Sequence, residues 1–126
     1  MFQGLRTVIY HVDDLDKAKK WYSSVLGFEP YFDEPYYVGF RVGGYELGLD
    51  PDMRRVTKGS NEIAYWGVAD AEAAYEGMLK QGAREHSGVQ EVGGGIRVGA
   101  VEDPFGNIIG IIENPNFKID EDSSDV

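Results

Sequence analysis

The chain has no cysteine, only five prolines in 126 residues, and 12 basic side chains against 22 acidic ones. Without thiols there are no disulfides, no thiolate nucleophile and no zinc-thiolate site, so any chemistry falls to oxygen, nitrogen and aromatic groups. The scarcity of positive charge leaves a formal net charge of −10. Such a field repels phosphate backbones and anionic membranes, which argues against nucleic-acid binding and favours a neutral or cationic ligand. Long apolar runs are missing as well. Nothing approaches the ~18 uninterrupted apolar residues of a membrane helix, and Thr7–Tyr10 is too short for a signal-peptide core. The chain therefore reads as cytoplasmic. At 42% hydrophobic and 27% charged, it fits one globular domain with a real core.

The order of elements is legible. Thr7–Val12 is a β-branched and aromatic run ending at Asp13-Asp14, a natural helix N-cap. Leu15, Ala18, Trp21, Tyr22, Val25 and Leu26 then recur at three- and four-residue intervals as one apolar stripe, and Gly27 is placed to end the helix. Strands are predicted at Glu29–Phe32, Tyr36–Val42 and Tyr45–Asp50, with Gly43-Gly44 as a two-residue hairpin turn. After the polar segment Pro51–Asn61 the order repeats. Ile63–Val68 is a strand, and Asp70 caps a helix striped by Ala71, Ala74, Tyr75, Met78 and Leu79, which Gly82 stops. Strands follow near Arg84–Glu91, Ile96–Glu102 and Ile108–Glu113, with Gly93-Gly94-Gly95 as a hairpin tip or flap. Superposing the copies sets Val12 on Val68, Asp14 on Asp70, and Gly44–Leu49 on Gly106–Ile111. Two βαβββ units result, spanning about residues 4–52 and 61–115 of a single domain over 1–117; the acidic tail 118–126 has nothing apolar to pack and is expected to be disordered.

Val12-Asp13-Asp14-Leu15-Asp16-Lys17-Ala18, with Trp21-Tyr22 and Val25-Leu26-Gly27-Phe28, resembles the opening strand and helix of the vicinal oxygen chelate superfamily, the group of glyoxalase I, bleomycin-resistance proteins and extradiol dioxygenases. Glu102-Asp103-Pro104-Phe105-Gly106-Asn107 is similar to its closing hairpin. The resemblance spans roughly residues 4 to 115 and implies an α+β fold in which two βαβββ units form a cupped, barrel-like mixed sheet with helices on the outer face, often as a homodimer.

The resemblance also implies where a metal would sit, since the metal enzymes place one His, Glu or Gln on the first and last strand of each unit. Those positions fall on Thr7, Gly48, Ile63 and Gly110, a set that cannot build a divalent coordination sphere. Glu46 lies two residues from Gly48 on the same strand face, and one carboxylate is not a site. His11 and His86 fall away from the pattern and read as surface or hairpin residues. No cofactor is expected. Strand alternation brings Ile9, Glu46, Asp50, Tyr65, Ile108 and Ile112 to the face of the four positions. The Gly43-Gly44 turn sets Arg41 opposite Glu46, Gly39 opposite Gly48 and Tyr37 opposite Asp50. The expected ligand-binding set is thus Thr7, Ile9, Tyr37, Arg41, Glu46, Gly48, Asp50, Ile63, Tyr65 and Gly110, with Arg41 neutralising Glu46 and the two glycines leaving space for a flat ligand. The facing of Arg97 and Glu102 depends on the turn Asp103-Pro104-Phe105-Gly106 and stays open.

Two functional readings follow from the resemblance. One is a metal-independent binder of the bleomycin-resistance type, holding a neutral or cationic metabolite or drug. The other is a glyoxalase-like lyase, isomerase or dioxygenase acting on a small carbonyl compound, with Glu46 as general base or with an unrecognised metal site. A third, a scaffolding subunit whose cup takes a partner chain, is compatible with the apolar interior.

Overall fold

A computed structural model of the chain describes residues 1–59 and 61–117, which fall into two compact units, Met1–Val56 and Thr57–Phe117. The expectation for the tail 118–126 lies outside the described residues. Each unit is a βαβββ run, so the α+β class and the duplication are as the sequence implies. The strands form two separate four-stranded mixed sheets, and neither closes into a barrel.

The first unit runs β1 (Thr7–His11), α1 (Leu15–Leu26), β2 (Phe32–Glu34), β3 (Tyr37–Val42) and β4 (Tyr45–Asp50), in sheet order β1-β4-β3-β2. Asp14 has extended backbone and its carboxylate accepts from Lys17 N, so one of the orphan donors of the first turn is satisfied. Gly27 ends it at φ 87°, a conformation in which a side chain would be strained, and its N–H bonds Ser23 O. Helix α1 packs on the sheet face carrying Tyr10, Val12, Val38, Phe40, Leu47 and Leu49, all buried along with Ala18 and Tyr22. Each such side chain taken from water stabilises by roughly 1.5–3 kcal/mol. The opposite face is left to Thr7, Ile9, Tyr37, Gly39, Arg41, Glu46, Gly48 and Asp50.

The predicted strand Glu29–Phe32 is displaced to Phe32–Glu34. Pro30 has no N–H to give a ladder, and pairing begins only where Tyr31 N bonds Gly39 O. Gly43 and Gly44 turn the β3–β4 hairpin with φ of 57° and 90°, the positive pair that a two-residue turn of this hand demands.

The second unit runs β5 (Ala64–Gly67), α2 (Ala71–Lys80), β6 (Arg84–Gly93), β7 (Ile96–Glu102) and β8 (Ile108–Glu113), in order β5-β8-β7-β6. The internal correspondence holds bond for bond: Val12 N donates to Asp50 O, and Val68 N to Ile112 O. Helix α2 is capped by Asp70, which accepts from Ala73 N, and ends at Gln81 with Gly82 at φ 100° just beyond. Strand β6 extends two residues past expectation because Gly93, Gly94 and Gly95 carry the tip of the β6–β7 hairpin at positive φ. Arg97 faces α2 in an ion pair with Glu72, whereas Glu102 pairs in register with Ile108 and binds Arg84, which settles both facings.

The β7–β8 turn is built around Asp103, the one charged side chain among the described residues that is wholly buried. Its carboxylate accepts from Phe105 N at 2.9 Å, Asn107 N at 2.7 Å and Asn107 Nδ2 at 3.1 Å, while Gly106 takes φ 86° and bonds Asp103 O. Removing this acceptor strands several donors at once. Asp103→Ala is expected to lower stability by about 3 kcal/mol, read as a shift in the urea unfolding midpoint with an unchanged slope.

Candidate functional site

On the face of the first unit turned away from α1, β1 and β3 flank β4 in the predicted register, Thr7 and Arg41 both beside Glu46, and Ile9 and Gly39 beside Gly48. Glu46 is the centre. Tyr37 Oη donates to its Oε1 at 2.8 Å and Tyr31 Oη donates to its Oε2, while Thr7 stands beside Glu46 in register and also favours its charged form. Both tyrosine donors come from outside β4, so β1, β3 and the segment before β2 meet at this carboxylate in one polar node.

Two glycines make this geometry possible. A Cβ on Gly48 would stand 2.5 Å from Tyr37 Cζ, and one on Gly39 would stand 2.7 Å from Glu46 Oε2 and 3.2 Å from Tyr31 Cε1. Bare backbone at this facing pair lets the Tyr37 ring lie across the sheet and lets Glu46 and Tyr31 meet above it. The space expected at Gly48 for a flat ligand is therefore filled by the protein's own phenol. Gly110 in the second unit is covered in the same way: a Cβ there would stand 2.7 Å from Tyr65 Cδ1 and 2.9 Å from Ile63 Cγ2. Ile63 lies just before β5, and Tyr65 pairs with Gly110 on a face it shares with Ile108 and Ile112. On that face Ile108 stands in the place of Glu46, and the carboxylate is instead Glu102, its register partner on β7, which is ion-paired to Arg84.

Arg41 departs from expectation. Its Cζ lies 5.0 Å from the centroid of the Tyr31 ring, a cation–π contact, and it forms no ion pair with Glu46 among the described residues. The charge on Glu46 is answered by hydroxyls. Burial pushes the Glu46 carboxyl up, and the hydrogen bonds from Tyr31, Tyr37 and Thr7 together outweigh it, holding the group below its ordinary value of 4.5. The phenols move the other way. Burial and then the bond to Glu46 raise Tyr37, and the bond to Glu46 followed by burial raises Tyr31, so both stay protonated donors.

Aromatic surface surrounds the node. Phe32 lies 6.5 Å from Tyr31, 6.2 Å from Tyr36 and 6.2 Å from Tyr37 between ring centroids, and Tyr31, Tyr36 and Ile9 are exposed at 53%, 66% and 48%. Tyr31, Phe32 and Tyr36 were not singled out as site residues in the sequence. The signal was present in the facing glycines, because two bare positions side by side on a sheet call for a ring from elsewhere to cover them. Asp50 ends the same face and accepts from Asp52 N at 2.8 Å, and His11 is held by its Nδ1 against Asp52 O at 2.8 Å. His86 is exposed on β6.

The four positions where a metal would be expected do not fit one. Thr7 offers only a neutral hydroxyl, Gly48 and Gly110 lie under tyrosine rings, and Ile63 has no ligand atom. Among the described residues no three His, Asp or Glu side chains are grouped closely enough to hold an ion.

The family model described as the Glyoxalase/Bleomycin resistance protein/Dioxygenase superfamily matches residues 4–111. Among solved structures, a glyoxalase-related enzyme from Fulvimarina pelagi aligns with a TM-score of 0.80 at 20% identity, covering 96% of this chain and 95% of its own. A lactoylglutathione lyase from Agrobacterium tumefaciens aligns at 0.72 and 18% identity, with 91% and 98% covered. A glyoxalase/bleomycin resistance protein from Catenulispora Acidiphila DSM 44928 aligns at 0.66 and 23% identity, with 89% and 100% covered. These likenesses are of fold. No curated protein matches the chain.

Two predictions follow from the node. Gly48→Ala is expected to destabilise the protein by about 2 kcal/mol through overpacking against Tyr37, and in a Tyr37→Ala background the same change should cost little; chemical denaturation of the four proteins closes the cycle. Because Glu46 is lowered on folding, its contribution is fully present above the unfolded value near 4.5 and is lost as pH falls through the folded one. The stability advantage of the wild type over Glu46→Gln is therefore expected to shrink below that pH, as read by urea unfolding at a series of pH values.

Proposed function

The chain belongs to the glyoxalase/bleomycin resistance protein/dioxygenase superfamily, and on that premise we propose that it is a metal-independent binding protein that holds a neutral or cationic small molecule on the Glu46 face. The observation that carries this reading is the exposed aromatic cluster around a single carboxylate. Tyr31, Phe32 and Tyr36 offer apolar area and π-faces, while Glu46 and the oxygens of Tyr31 and Tyr37 offer acceptors for N–H or O–H groups. A planar amine, or a neutral heteroaromatic carrying an N–H, has the matching chemistry.

Glu46 as a general base is the weaker reading. A carboxyl held below its ordinary range by hydroxyl donors takes up a proton reluctantly. The ligand positions of the metal-dependent members carry a hydroxyl, a branched alkyl group and two glycines here, which supports binding without an ion. In this reading the protein acts in the cytoplasm as a homodimer and takes no nucleic acid, the last supported by a net charge of −10. No helix among the described residues is long and apolar enough to cross a membrane.

Planar amines and their neutral isosteres, titrated against tyrosine and tryptophan fluorescence, are expected to bind saturably with the same affinity before and after chelator treatment. Glu46→Gln should weaken the amines about tenfold more than the isosteres. Binding that disappears on chelation, or an equal loss for both ligand series, would contradict the proposal.

A further inference from the structure

Beyond the end of β4 the chain folds back on itself in the first unit through two consecutive side-chain turns. Asp52 N donates to Asp50 Oδ1 at 2.8 Å, and Arg54 N donates to Asp52 Oδ1 at 3.1 Å. Asp52 then fixes two further groups. Its carboxylate accepts from Arg54 Nε at 2.9 Å and Nη2 at 2.7 Å, a two-point fork, and its carbonyl oxygen lies 2.8 Å from His11 Nδ1. The result is a cleft of about 440 Å³ lined by His11, Asp52, Arg54, Arg55 and Val56.

The charge in this cleft runs against the rest of the chain. In a protein with 22 acidic and 12 basic side chains, two adjacent guanidiniums and an imidazole meet here around a single carboxylate. That carboxylate is already spent on Arg54, which keeps Nη1 outside the fork, and Arg55 has no ion pair or hydrogen bond among the described residues. Arg54 is thus held in place by its partner, and Arg55 supplies uncompensated charge. Guanidinium forks match the oxygen spacing of phosphate and related oxyanions, and a fork fixed beforehand loses little side-chain freedom on binding.

We infer that the His11–Arg54–Arg55 cleft is an oxyanion-binding site that takes a phosphate group, free or carried by a small molecule, separately from the Glu46 face. The roles divide by residue. Asp52 is a positioning group, Arg54 orients the oxyanion, and Arg55 provides most of the attraction. The inference does not rest on the ligand proposed for Glu46, since it uses different residues and the opposite charge.

Inorganic phosphate, titrated into the full chain at constant ionic strength made up with chloride, tests it by calorimetry and by shifts of the amide resonances of His11 and Arg54. Saturable binding is expected, with sulfate competing. Arg55→Ala is expected to weaken phosphate at least about tenfold while leaving the thermal midpoint unchanged, because its side chain has no ion pair or hydrogen bond among the described residues. Arg84→Ala, which removes one positive charge from β6, serves as the control and should alter affinity less than about twofold. A phosphate response that fails to saturate overturns the assignment, as does an equal loss in Arg55→Ala and Arg84→Ala, which would reduce the effect to general charge. Intact amine binding on the Glu46 face in Arg55→Ala keeps the two sites distinguishable.

Discussion

The Tyr37 ring lying across the bare backbone of Gly48 is the contact on which the rest of the first unit's open face depends. From that position its hydroxyl reaches Glu46 Oε1, and Gly39 makes the matching room for Tyr31 to reach Oε2. A side chain at either glycine would lift a ring off the sheet and leave a half-buried carboxylate short of donors, which is costly where water is only partly available to replace them. The glycines are therefore structural partners of the tyrosines, and the carboxylate is the reason the tyrosines are held. Arg41, which the register sets beside Glu46, turns to the face of Tyr31 and stiffens the same cluster from its edge.

The duplicated scaffold carries two different surfaces. Bonds such as Val12 N to Asp50 O and Val68 N to Ile112 O recur at equivalent points, as do the Asp14 and Asp70 caps. The open faces have diverged within that frame. Where the first unit has Thr7, Glu46 and Asp50, the second has Ile63, Ile108 and Ile112, with Tyr65 covering Gly110 much as Tyr37 covers Gly48. One face presents a carboxylate bonded by two tyrosine hydroxyls, whereas on the other Tyr65 and the isoleucines lie beside the Glu102–Arg84 ion pair.

Much of this was readable before any coordinates. The helix stripes, the aspartate caps and the glycine stops set α1 and α2, and the Gly43-Gly44 turn fixed the Arg41–Glu46 and Gly39–Gly48 register. Strand β2 was misplaced because its signal is weak: three residues next to Pro30, held by a single partner. The site was half legible. Alternation put Thr7, Ile9, Glu46, Gly48 and Asp50 on one face, but it says nothing of where a long side chain leans. Tyr37 was expected opposite Asp50 and instead reaches Glu46, and Tyr31, outside any strand, had no register from which to be placed. The supposed space above the glycines was the direct consequence of that blindness to ring direction.

The glycines also bear on the family's metal chemistry. Two of the positions that would carry ligands in the metal-dependent members, Gly48 and Gly110, here lie beneath phenol rings, and the nearby Glu46 carboxylate is engaged by two tyrosine hydroxyls. An ion would have to displace the node that holds the sheet face together. On the proposed reading Glu46 belongs to the tyrosines and not to a metal, and elemental analysis of protein purified without chelator decides the matter. Nickel, zinc, manganese and iron are expected far below one equivalent per chain; about one equivalent of any of them, retained by the wild type and lost in Glu46→Gln, would overturn this reading.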